Sequence, residues 1–223
     1  MSSLKIAAIS AALFLLPASS AYAAGECGAR QLMVETLAQY SALMVMKHRY
    51  GEDKIRRFLQ FELDNYLRNR GQEGLEEQPL ARVENQPYIH YRKGSLVMYL
   101  LQERMGEAAV NRALRGLLAR YRFQGAPYPR SADLIFLLRQ EATTAEQQAL
   151  ITDLFERITV YDLKVRAPSA VQRADGRWDV TVEVEAHKYY ASGRGEESEA
   201  PLSDRIEIGL FTALPGRGSF DRN

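Results

Sequence analysis

LITDLFERITVYDLKV, residues 150–165, holds the change of period that decides the fold. Up to Arg157, Leu150, Ile151, Leu154 and Phe155 recur at the three- and four-residue spacing of a helix with one buried face. Beyond it Ile158, Val160, Leu163 and Val165 are β-branched or leucine, and the spacing falls toward two. Working outward in both directions, the expectation is an α+β chain: a mainly helical bundle over 24–157, then a partial antiparallel, β-sandwich-like unit over 158–223.

Upstream, everything from residue 28 reads as helix. The spacing predicts one helix over 31–46, in which Glu35 is the only charged residue. A second spans about 53–70, where Ile55, Phe58, Leu59, Leu63, Tyr66 and Leu67 form the apolar stripe. The Gly-, Gln- and Glu-rich stretch 71–86 reads as an exposed loop. A third helix begins near Tyr91 and is apolar around much of its circumference over 96–101, as a central bundle helix is. Met105-Gly106 ends it, and Val110, Leu114, Leu117, Leu118 and Tyr121 stripe a fourth. After Pro127 and Pro129, Ser131 is placed to cap a short helix. Thr144 and Gln147 have capping-box spacing ahead of the last.

Downstream, Asp175-Gly176 is a hairpin-turn signal. Trp178, Val180, Val182, Val184 and Ala186 alternate with polar neighbours, as on a half-buried strand. Residues 193–203 read as a polar, acidic loop, and Ile206, Ile208 and Leu210 alternate again as a third strand. Three strands are too few for a closed sandwich, so this unit reads as the opening of a β domain.

The chain has 223 residues, 46% hydrophobic and 26% charged, the composition of a globular protein. Residues 1–23 are expected to be a secretory signal peptide: Lys5, an apolar run over 6–16, the helix breaker Pro17, then Ala21-Tyr22-Ala23 as the cleavage site. Glu26, not a small residue, precedes Cys27, which argues against a lipoprotein. The expected location is periplasmic or otherwise extracytoplasmic, with membrane association open. Lys+Arg is 29 and Asp+Glu 28, so removing Lys5 leaves 28 of each sign. That balance argues against nucleic acid as a partner. The single cysteine, Cys27, excludes an intramolecular disulfide.

Two segments carry candidate chemistry. On a helix Glu35 has Leu32, Ala38, Gln39 and Ala42 as axial neighbours, a surface on which an unpaired carboxylate is costly. The opposing reading is a carboxylate favoured by the dipole of a helix start. Pro87-Tyr88-Ile89-His90-Tyr91-Arg92-Lys93-Gly94 sets two phenols and an imidazole just before the central helix, either facing a cleft or simply packing. The three histidines are scattered. His48 lies between Lys47 and Arg49 and reads as solvated, His90 as a neutral packing residue, and His187 as a strand-end residue without partners.

Taken together, Glu35-Thr36-Leu37-Ala38-Gln39-Tyr40 and Tyr91-Arg92-Lys93-Gly94 resemble the zinc aminopeptidases of the membrane alanyl aminopeptidase (gluzincin) type. The likeness is closer to the bacterial branch whose peptidase domain is joined to a transporter-permease-like membrane protein. VENQPYIHYRKGSLVM (83–98) and LITDLF (150–155) also read like that branch, and the resemblance spans about 28–213. It implies a metallopeptidase hydrolase acting on peptides with a zinc cofactor. Glu35 falls on the third zinc ligand, and Tyr91 on the tyrosine that hydrogen-bonds the oxyanion of the tetrahedral intermediate. A two-histidine, one-glutamate set leaves one zinc position open for water, and a phenol aimed at developing charge stabilises the transition state.

The departure is the family's H-E-x-x-H helix, which brings two zinc ligands and the general base. Here His48, His90 and His187 are followed by Arg49, Tyr91 and Lys188, and the substrate-gripping Gly-rich segment has no counterpart. The chain therefore reads as a truncated catalytic-domain fragment, inactive alone. The alternatives are a half-domain completed by a separate chain, with a permease-like membrane protein as a further partner, and a helical module that binds peptides or proteins.

Overall fold

The computed structural model describes residues 32–72 and 74–210. The expected signal peptide, 1–23, and Cys27 lie outside the described residues. The α+β expectation holds: six α-helices precede a three-stranded antiparallel sheet among the described residues.

The chain enters through a π-helical turn, Leu32–Thr36, that runs into α1 (Leu37–Tyr50). Next come α2 (Glu52–Arg70), a 3-10 turn (Leu80–Arg82) and a second π turn (Tyr88–Lys93). That turn continues directly as α3 (Gly94–Met105). α4 (Glu107–Tyr121), α5 (Ser131–Glu141) and α6 (Ala145–Ile151) complete the bundle, and a third π turn, Thr152–Glu156, leads to the sheet. Gly51 and Gly106, at φ +85° and +88°, make the sharp α1–α2 and α3–α4 corners, where a side chain would be strained.

α3 is the central helix, with α1, α2, α4 and α6 packed around it. Met98 and Leu101 are fully buried with Leu32, Val110, Leu134, Leu138 and Phe155 in one continuous core. Tyr40 is buried as well, and its hydroxyl donates to Gln102 Oε1 at 2.7 Å, which satisfies both groups.

Several expectations are corrected. In α2 the buried positions are Ile55, Glu62 and Tyr66, whereas Leu63 and Leu67 face outward. The 71–86 stretch is no exposed loop over its second half. Leu80 and Val83 are fully buried, and the Gln86 carboxamide pins the segment by donating to Glu76 O and accepting from Gln78 N–H. Ser131 is not a cap, since its hydroxyl donates to Ala81 O at 2.6 Å, and Asp133 instead accepts from the Arg130 N–H at 2.9 Å. Thr144 does cap α6, accepting from Gln147 N–H at 3.2 Å.

The sheet has order β1 (Ile158–Gln172), β2 (Trp178–Ala191), β3 (Glu197–Ala200). β1 and β2 form one long hairpin from Ile158↔Ala191 to Gln172↔Trp178, with a register shift between Arg166 and Ser169. The third strand is Glu197–Ala200, inside the stretch expected as loop. Residues 201–210, including the alternating Ile206, Ile208 and Leu210, make no ladder. The tight turn sets this choice: Ser192 N–H reaches Glu196 O at 2.7 Å, which folds the next four residues back on β2. The later segment is held by side chains instead, with Arg104 donating to Glu207 Oε1 and Arg205 O, both at 2.7 Å. The half-buried expectation for β2 holds at Val182, Val184 and Ala186, whereas toward the hairpin tip Trp178 and Val180 are exposed, with no second layer over them among the described residues.

The sheet is tied to the bundle at its base by Lys188, 3% exposed, which donates to Asp153 at 2.5 Å and Asp204 at 2.9 Å. The Tyr190 hydroxyl also donates to Asp153, at 2.9 Å. Burial alone lowers the Lys188 ammonium, but the two carboxylates outweigh it and raise the group well above its ordinary value. Among the described residues no helix is long and apolar enough to cross a membrane.

Candidate functional site

The first and second π turns pack against each other, and this brings the two sequence segments together. A π turn widens the helix by one residue and changes where its side chains point, a feature frequent at functional sites. Thr36, fully buried, donates its hydroxyl to the His90 carbonyl at 2.5 Å. The approach is close because residue 94 is glycine: a Cβ there would lie 2.8 Å from Thr36 Cγ2.

Beside this contact the Glu35 carboxylate acts electrostatically on the Tyr91 phenol. Both side chains are half-buried. The Glu35 carboxylate, together with burial, raises the Tyr91 phenol above its ordinary value. His90 packs its ring 4.7 Å from that of Tyr91, centroid to centroid. Burial lowers its pKa and the Glu35 charge partly opposes this, so the imidazole is neutral at pH 7. Among the described residues its buried Nδ1 has no hydrogen-bond partner.

Two buried carboxylates that sequence reasoning did not single out hold this arrangement. Glu62 of α2, 4% exposed, accepts from Gln39 Nε2 at 2.9 Å and from Arg92 NH1 at 3.0 and 3.1 Å. Arg92 follows Tyr91 and Gln39 lies one turn beyond Glu35, so Glu62 fixes both chains behind the pair. Glu77 accepts from Arg70 at 2.7 Å, Lys93 at 3.1 Å and Tyr66 at 3.0 Å. Burial would raise the Glu77 carboxyl, yet Lys93 and Arg70 hold it below its ordinary value. The signal for Glu62 was weak: one acidic residue on a charged helix reads as solvated.

An open cleft of about 420 Å³ begins at Tyr91 and runs along the C-terminal half of α2, lined by Asn65, Asn69, Gln72, Tyr88 and Arg92. The other histidines take no part. His48 is exposed, 3.6 Å from Glu107. His187, expected to have no partner, meets Glu199 at 2.8 Å, which raises its pKa.

Glu35 is the residue expected from the resemblance to ligate a metal. Among the described residues, no group of three or more His, Cys, Asp or Glu side chains is arranged to hold an ion. A catalytic zinc takes three protein ligands, so these residues alone do not fit the ion. No family model, curated protein or solved structure matches the chain.

Proposed function

We propose that the chain is a zinc-aminopeptidase-like half-site, with no hydrolytic activity of its own. It supplies the metal-ligand carboxylate Glu35 and the oxyanion donor Tyr91. The observation that carries this reading is the pairing of those two side chains on abutting π turns, backed by buried Glu62. A phenol beside a carboxylate suits a site in which charge develops on a substrate oxygen: the hydroxyl keeps its proton at neutral pH and can donate it in a hydrogen bond. The missing base and imidazoles are the reason for expecting no turnover alone, since nothing in the pair activates water. A segment bearing H-E-x-x-H, on a separate chain or a permease-like partner, is the complement the half-site requires.

The apolar run over 6–16 and Ala21-Tyr22-Ala23 support export, with the site facing an extracytoplasmic space. Sequencing the amino terminus of the secreted chain tests this.

The functional test is zinc content and amino-peptide hydrolysis, for the chain alone and with an H-E-x-x-H peptide added in trans. Neither metal nor turnover is expected alone. In trans, Tyr91→Phe should lower the rate by about 10²–10³ with little change in stability. One zinc per chain, lost in Glu35→Ala, would overturn the half-site reading, and an unchanged rate in Tyr91→Phe would remove its catalytic role. The second reading, a peptide-binding module, is favoured by the cleft beside Tyr91.

A further inference from the structure

The cleft that starts at Tyr91 is walled by carboxamides in a regular row. Asn65 and Asn69 lie one helical turn apart on α2, and Gln72 follows just past its end. Each asparagine ties its Nδ2 back to its own helix: Asn65 donates to Phe61 O at 2.6 Å, and Asn69 to Asn65 O at 2.7 Å. These bonds use one N–H of each amide and fix its plane. They leave the second N–H and the Oδ1 of each group, a donor and an acceptor that complement the C=O and N–H which one residue of an extended chain presents on the same edge.

The spacing carries the argument further. Four residues of helix rise about 6 Å. Two residues of extended chain advance about 6.6 Å, after which the same main-chain edge faces the same way. A peptide lying extended along α2 therefore meets Asn65 and Asn69 with successive like-facing peptide groups, in register. Side-chain amides that bond main chain carry no preference for residue type, so recognition is of the backbone. Pairs of charges would be the sign of a charged ligand, but here Arg92 is occupied by Glu62. The volume lies within the range of about 300–1,000 Å³ that ligand sites occupy.

We propose that this cleft is a main-chain subsite for an extended peptide, read by the Asn65 and Asn69 carboxamides with Gln72 at the far end. It deepens the function proposed above, and rests on it only in taking the Tyr91 end as the one nearest the reacting bond.

The test is binding of tetra-alanine, and of its depsipeptide analogue with esters at the central bonds, to the uncomplemented full chain. Asparagine side-chain NMR signals are the readout. Replacing N–H by an ester oxygen removes the donor and sets two oxygens against each other, so the analogue should bind about 5–30-fold more weakly. Asn69→Ala should weaken tetra-alanine by a similar factor. Alanine is the better helix former, so circular dichroism should be unchanged; if that variant fails to fold, Gln72→Ala and the ester comparison on the unaltered chain decide. Equal binding of amide and ester, indifference to Asn69→Ala, or no saturable shift up to about 10 mM peptide would overturn the subsite. No metal or turnover enters, so failure here leaves the Tyr91 rate experiment standing, and failure there leaves the subsite standing.

Discussion

Gly94→Ala tests how the two π turns are held together. The backbone at Gly94 is helical, at φ −59° and ψ −43°, so alanine fits the main chain and on propensity alone gains about 0.5–1 kcal/mol. The space does not fit: the new methyl would lie 2.8 Å from Thr36 Cγ2 and 3.1 Å from its Cβ. Thr36 is fully buried and β-branched, and it can rotate away only by giving up its bond to His90 O. Overpacking costs about 1–3 kcal/mol, and a buried acceptor left unmade about 1–3 more. Subtracting the propensity gain leaves a net loss of about 1–5.5 kcal/mol, or about 2–22 °C in Tm for a domain of this size. Urea unfolding and calorimetry measure it. Thr36→Ala in the same chain should recover part of the loss, giving a favourable coupling in the double-mutant cycle. A Gly94→Ala chain as stable as the parent, or more so, would refute the close-contact argument, because propensity would then be the only effect present.

Three further outcomes are expected. In an NMR titration His187 should protonate above the ordinary imidazole range and His90 below it. Because the folded value of His90 is the lower one, its contribution to stability is intact above about pH 6.5 and lost as pH falls below that, so His90→Phe should flatten the acid limb of the stability curve. Glu35→Gln should return the Tyr91 phenol toward its ordinary value in an ultraviolet or NMR titration, and an unchanged value would deny the pairing. Lys188→Met leaves buried Asp153 with only Arg157, 3.6 Å away, and the Tyr190 hydroxyl, and should destabilise the chain by up to about 3 kcal/mol in urea unfolding, while a loss under about 1 kcal/mol would mean the latch contributes little.

The period switch in 150–165 made the α+β class legible, because a long hairpin and a striped helix differ in their spacing even without knowledge of their contacts. Strand β3 was not legible. Glu197-Ser198-Glu199-Ala200 carries no apolar alternation, and it pairs only because the preceding turn delivers it to the edge of β2. The same topology supplies Glu199 to His187, which no spacing along the chain announces. Glu35 and Tyr91 could be named only through a resemblance. Their frame was hidden because its parts look ordinary one by one: Glu62 resembles any charged helix residue, and Gly94 resembles a loop-to-helix junction.

Glu35 shifts the Tyr91 phenol electrostatically, yet neither sets the other's place. Thr36 and Gly94 lock the two π turns at the backbone, Glu62 holds Gln39 and Arg92 on the residues flanking the pair, and Glu77 holds Lys93 from the far side. Each of these clamps is buried and hydrogen-bonded, whereas Glu35 and Tyr91 are half-exposed. Stability therefore resides in the clamps, and the pair is not needed for packing. That separation matches a scaffold that presents two polar groups to something outside it: if the pair were part of the packing, it would sit where Glu62 and Thr36 sit. It also makes substitutions in the pair interpretable, since a change in binding or rate at Glu35 or Tyr91 is not the by-product of a loosened core.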